Sequence, residues 1–171
     1  MRTAAQAAGV PVSTAVPGTT YRIGAVRMTI LGPRRELHGT RSDPNNNSLI
    51  ALAVVAGRRV LLAGDAEREE QGAMLADGEA GRFRADVLKV AHHGSAYQDQ
   101  RFLAEVNPAV ALFSVGKDND YGQPSGSTLE WLSHDGARVL RTDLNGACAV
   151  VADHGRIATL THQTASTGGL W

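Results

Sequence analysis

The 171-residue sequence holds a single cysteine, Cys148. No internal disulfide is therefore possible, and the residue leaves the redox compartment open. Its setting, "ACAVVAD", suits a small buried hydrophobe. The chain has no excess of charge either, since 17 Lys plus Arg balance 17 Asp plus Glu. It thus carries no global electrostatic signal for nucleic acid or membrane, although a local patch or a metal could still bind DNA. No apolar run approaches the roughly 20 residues that cross a bilayer. The opening stretch "MRTAAQAAGVPVSTAVPG" lacks the continuous apolar core of a signal peptide. The chain itself is expected to be soluble, and its length suits one domain with a buried core. It shows no internal repeat and no long low-complexity segment.

What is present alternates between strand-like and helix-like pieces. "TYRIGAVRMTIL" reads as a hairpin turning at Gly24-Ala25, followed by a polar loop, "GPRRELHGTRSDPNNNS". "LIALAVVAGRRVLLAGD" reads as two strands joined near Gly57, apolar enough to be buried on both faces and so to need helices on both sides. "AEREEQGAMLAD" supplies one helix, with Glu67, Glu69 and Glu70 in its early turns and Gly78 beyond its end. "ADVLKV" is a strand, "DQRFLAEV" a short helix stopped by Asn107-Pro108, and "AVALFSVG" another strand. "STLEWLSHDG" opens with Ser127 and Glu130 at capping-box spacing. "RVLRTD", "GACAVVAD" and "RIATLT" close the chain as strands linked by tight Asn-Gly and His-Gly turns, and the tail looks disordered. The fold class expected is layered α/β, with strands between helices.

Three strands end in chemically useful or small groups: Gly64-Asp65, His92-His93-Gly94-Ser95 and Ser114-Val115-Gly116. Sites in open α/β sheets form beyond the carboxyl ends of strands. Asp65 and His92 could meet there and share an ion, carboxylate and imidazole suiting Zn or Mn. A plainer role is available for each residue. Asp65 precedes a helix and could be its N-cap. Asn45, Asn46 and Asn47 are by default turn residues. His38, His134, His154 and His162 fall in loops or turns and read as solvated, and an isolated His-His-Gly-Ser is a weak motif.

Taken in order, "NNNSLIAL", "RVLLAGDAE", "ADVLKVAHHGS", "VALFSVGKDNDYG" and "RTDLNGA" resemble the later half of the metallo-β-lactamase-like domain of the ComEC competence family, which imports DNA during natural transformation. The likeness runs from about Val10 to Val151. It implies an αββα sandwich over residues 1–161, incomplete at its start, and a flexible tail over residues 162–171. It also implies a membrane-embedded parent whose copy of this domain is extracytoplasmic. By the same resemblance, Asp65 and His92 are metal ligands, His93 is catalytic or a second ligand, and Asn47, Ser48, Ser95 and Gln123 line the substrate edge. The implied cofactor is a divalent metal, Zn or Mn, and the implied partner is DNA.

The sequence departs from the family pattern twice. The His-x-His-x-Asp-His motif that opens the family's metal site is absent, and Gln123 and Ser125 stand where relatives commonly carry histidine. Three functions are therefore carried forward. They are a metal-dependent phosphodiesterase or nuclease domain, a free-standing hydrolase of a small (phospho)ester, and a non-catalytic remnant. With the first motif absent, weak metal binding is expected. So is a need for the missing first half to cover Leu49–Val55 and Val60–Ala63, or self-association in its place.

Overall fold

The structure is a computed structural model, and it describes residues 2–78, 81–153 and 155–162. A short N-terminal helix, α1 (Arg2–Ala7), precedes a run of strands. β1 (Thr20–Ile23) and β2 (Val26–Gly32) form the expected hairpin around Gly24-Ala25. β3 (Ile50–Val55) and β4 (Arg58–Leu62) form a second, turning at Ala56-Gly57 where both residues have positive φ, the conformation of a tight hairpin turn. Three strand–helix units follow: α2 (Arg68–Ala76), β5 (Val87–Lys89), α3 (Gln100–Val106), β6 (Val110–Phe113), α4 (Gly126–His134) and β7 (Arg138–Arg141). A single helical turn, α5 (Thr142–Asn145), leads to a closing hairpin of β8 (Ala147–Asp153) and β9 (Arg156–His162).

The first seven strands make one sheet in strict chain order, antiparallel from β1 to β4 and parallel from β4 to β7. That order corrects the expectation of helices on both sides. Right-handed crossovers that always advance in one direction along a sheet place every crossover helix on the same face. Met74 of α2, Phe102, Leu103 and Val106 of α3, and Leu132 of α4 accordingly join Leu61, Leu88, Ala111 and Phe113 in one core. Alternate residues of the same strands, Val60, Val87, Val110, Leu112 and Leu140, face the other way, where Cys148, Val150 and Ile157 of the β8–β9 hairpin pack against them. Each fully buried Leu or Phe of this kind contributes about 1.5–3 kcal/mol.

Local details refine the sequence reading. The cap of α4 is Ser125, whose hydroxyl accepts from the Thr128 N–H at 3.3 Å, not Ser127. The Asn-Gly segment is the end of α5 and not a hairpin turn. Ile50 to Ala53, Leu61 and Ala63 are buried, so only Leu49, Val55 and Leu62 of the apolar strand pair are exposed. His38 is exposed beside Glu36, and His134 ends α4 exposed. His162 is exposed as the last residue of β9 and so belongs to a strand; His154 and residues 163–171 of the expected tail lie outside the described residues. No helix among the described residues is long and apolar enough to cross a membrane.

Candidate functional site

The register of the parallel strands assembles the site. Leu62 pairs with Lys89, and Lys89 with Leu112. Asp65 and His92 therefore lie three residues past the same rung, and Val115 three past its neighbour. All sit at the carboxyl edge of the sheet, from which α2, α3 and α4 depart. The His92 N–H donates to the Gly64 carbonyl at 3.1 Å, tying the histidine turn to the residue before Asp65.

Two glycines make the close approach possible. Gly64 has φ +53, and a Cβ there would come within 2.9 Å of the Leu49 carbonyl and of the Ser48 Cβ. Gly94 has φ +82, and its Cβ would collide with the Phe113 ring and approach Pro124 to 2.9 Å. Between them, His92 and His93 both adopt left-handed backbone, with φ 44 and φ 54. Each such residue costs about 1–2 kcal/mol, and strain of this kind gathers at functional sites.

His92 enters a buried polar network. Its Nδ1 lies 2.9 Å from Oε1 of Glu67, a side chain with no exposed surface. Arg41 grips the same carboxylate with Nε and Nη2, each at 3.1 Å, and Asn45 Nδ2 donates to Oε1 at 3.0 Å. The Arg41 guanidinium in turn lies 3.3 Å from the centroid of the Tyr97 ring, a cation–π contact from the loop that follows the histidines. His93 is anchored separately, its Nδ1 lying 2.6 Å from the Ser114 carbonyl oxygen at the end of β6. The two imidazole rings stand 6.2 Å apart at their centroids.

A second buried carboxylate lies behind the first. Glu70 accepts from the Ser48 N–H at 3.2 Å through Oε2, while its Oε1 is buried with no partner among the described residues. Burial pushes its carboxyl up to about 8, the Ser48 hydrogen bond opposing only in part. Asn46, fully buried, ties this helix start to the preceding loop, accepting from the Glu70 N–H at 3.0 Å and donating to Glu69 Oε2 at 3.1 Å.

The other residues singled out from the sequence take varied places. Asp65 is half-buried in the turn after β4, and the N-cap of α2 is Glu67 instead. Its carboxylate acts on Lys89: burial holds that ammonium below the ordinary lysine range, and Asp65 opposes the shift. Asn47 spends its amide on the loop, accepting from Leu37 N–H and donating to the Leu37 and Asp43 carbonyls. Ser48 packs over Gly64. Ser95 is buried, its hydroxyl accepting from the Tyr97 N–H at 3.4 Å. Gln123 is half-buried in the loop after β6, with its backbone bonded to the Asn119 side chain and its own amide making no hydrogen bond among the described residues.

Sequence reasoning passed over Arg41, Asn45, Glu67 and Tyr97. Glu67 read as an acid placed for the helix dipole, and Asn45 as a turn residue. The one signal available was the close spacing of Glu67 to Asp65 in "GDAE", which puts both at the same strand end.

Fold and site together define an α/β protein with a two-histidine turn and buried carboxylates at the carboxyl edge of a mixed sheet. Comparison with known proteins adds kinship. ComE operon protein 3 of Bacillus subtilis (strain 168) is 33% identical over 144 residues, covering 84% of this chain and 18% of the relative. Recombination protein 2 of Haemophilus influenzae is 31% identical over 134 residues, covering 78% of this chain and 16% of the relative. Competence protein ComA of Neisseria gonorrhoeae is 31% identical over 106 residues, covering 61% and 15%. These matches relate the chain to competence proteins of the ComEC type, of whose length it spans less than a fifth. No family model matches the chain.

Proposed function

We propose that this chain is the later part of a metallo-β-lactamase-like αββα domain of a ComEC-type competence protein, acting in metal-dependent hydrolysis of DNA phosphodiesters during uptake. The observation that carries the reading is the convergence of Asp65 and His92 three residues past one rung of the sheet, with the His92 main chain bonded to Gly64. The names of the relatives support the competence role.

The metal has to be weighed against the residues present. Carboxylate and imidazole are suitable donors, but catalytic zinc sites use three protein ligands. Among the described residues no three His, Cys, Asp or Glu gather into such a group. The described residues alone therefore do not furnish a complete site, and the remaining donors are expected from a first half of the domain. That half would also cover Leu49, Val55 and Leu62, the exposed apolar residues of the strand pair Leu49–Val55 and Val60–Ala63. Without it, self-association through the same surface is expected.

The chain's own contribution is positional. The strained turn holds His92 and His93 side by side, Glu67 and Ser114 fix their rings, and Gln123 in the loop after β6 is the proposed contact for a DNA strand. The incomplete donor set also favours a second reading, a remnant that binds a partner without doing chemistry. A nuclease assay on the chain joined to its upstream sequence, with Mn or Zn and single-stranded DNA, separates the two. Turnover abolished by Asp65→Asn and by His92→Ala supports hydrolysis. Turnover that survives both variants refutes the site.

A further inference from the structure

We infer that His92 and His93 are locked in the same tautomer, with the proton on Nδ1, and that Glu67 is the positioning residue that locks His92. The two Nε2 atoms are then the lone-pair-bearing atoms of this edge. The use of those lone pairs rests on the functional reading above; the tautomers follow from geometry alone.

At His92 two neighbours compete for Nδ1. Glu67 Oε1 lies 2.9 Å away and Asn45 Nδ2 3.5 Å away. An ionised carboxylate only accepts, and an amide NH2 only donates, so the two contacts demand opposite protonation of the ring. Distance and context decide for Glu67. Its carboxylate is held by the Arg41 fork, an arrangement characteristic of the ionised form. Asn45 already has its own acceptor in Oε1 of Glu67, at 3.0 Å. Nδ1 of His92 therefore carries a proton and donates it to Glu67.

At His93 no competition exists. The only polar partner of Nδ1 among the described residues is the Ser114 carbonyl, at 2.6 Å, and a carbonyl accepts. Nδ1 is the donor again. Neutral histidine in water favours the other tautomer, with the proton on Nε2, so both rings are held against their free preference. Two different acceptors, supplied by two different strand ends, impose the same outcome on adjacent residues. This also gives a reason for the paired left-handed backbone at φ 44 and φ 54: the turn lets one ring reach back to α2 and the other across to β6. Histidines that serve as electron-pair donors are commonly fixed in this way, by a carboxylate or carbonyl on the opposite nitrogen.

The test is a long-range proton–nitrogen correlation spectrum of the imidazoles. It is recorded near pH 8, above the ordinary histidine value of about 6.5, on the 171-residue chain. His92→Gln and His93→Gln assign the two rings by loss of signal. Both rings are expected to show a protonated Nδ1 and an unprotonated Nε2. Glu67→Met keeps most of the buried volume while removing the acceptor, and the Arg41 guanidinium it leaves behind is 43% exposed and can turn to water. It should turn His92 to the Nε2-protonated form and leave His93 unchanged. Glu67→Gln, whose carbonyl oxygen can still accept, should restore the Nδ1 proton at least in part. A wild-type His92 with its proton on Nε2, or a His92 unmoved by Glu67→Met, overturns the inference. Because these spectra need neither metal nor DNA, they stand or fall independently of the nuclease assay.

Discussion

Glu70 should give the chain a stability that falls as pH rises. Its carboxyl is buried at the start of α2, one oxygen accepts only from the Ser48 N–H, and the other has no partner among the described residues. Burial raises it from the usual 4.5 to about 8. Between those values the folded protein holds a proton that the unfolded chain has lost, so the stabilisation is complete below about pH 4.5 and is lost through pH 8. Each pH unit inside the window is worth about 1.4 kcal/mol, which brings the whole loss to roughly 4–5 kcal/mol. That is a large share of the 5–15 kcal/mol typical of a domain. Glu70→Gln is neutral at every pH and keeps an acceptor for Ser48. Urea unfolding at pH 5, 6, 7 and 8 on wild type and variant isolates the effect, because the other titrating groups cancel in the difference. The wild-type midpoint should fall toward that of the variant, or below it, as pH climbs. Parallel curves across the whole range would refute the claim that Glu70 is buried as the neutral acid.

Three further outcomes follow from the same geometry. Gly94→Ala should destabilise by about 2–4 kcal/mol, from a residue forced into left-handed backbone and a methyl driven against Phe113 and Pro124; a urea midpoint within error of wild type would contradict the close approach. Arg41→Ala leaves Glu67 buried without its guanidinium and should cost up to about 3 kcal/mol, less than a fully buried pair because the Arg41 side chain is 43% exposed. In a Glu67→Met background most of that cost should vanish, which thermal unfolding of the four-member cycle would read. Calorimetry with Zn or Mn on the chain alone should find only weak binding, and a sub-micromolar affinity that survives Asp65→Asn would place the ion elsewhere.

The sheet was legible because its strands announce themselves: near-continuous apolar runs such as "LIALAVV", bounded by glycine turns, leave little alternative. The first two hairpins and the three crossover helices lie close to their expected places. The one-sided placement of those helices was not legible, because it depends on strand order, and no single run encodes its neighbours. The placing of Asp65, His92 and His93 at one edge of the sheet was legible because each follows an apolar strand. The contacts of Arg41 and Asn45 were not legible, since Arg41 reaches Glu67 from 26 residues upstream out of a loop whose composition suggested only solvent. Asn47 shows the opposite case: a residue marked for substrate by resemblance spends its amide on stapling Leu37 and Asp43.

The proposed function hangs on whether Asp65 and His92 share one ion. The most direct measurement is a crystal structure of the chain joined to its upstream sequence, with data collected at the zinc or manganese absorption edge. An anomalous peak is expected, bonded to an Asp65 carboxylate oxygen and to Nε2 of His92, the latter at about 2.0–2.1 Å for zinc, with Nδ1 still on Glu67. A peak that touches neither residue, or one that reaches His92 through Nδ1, would contradict it.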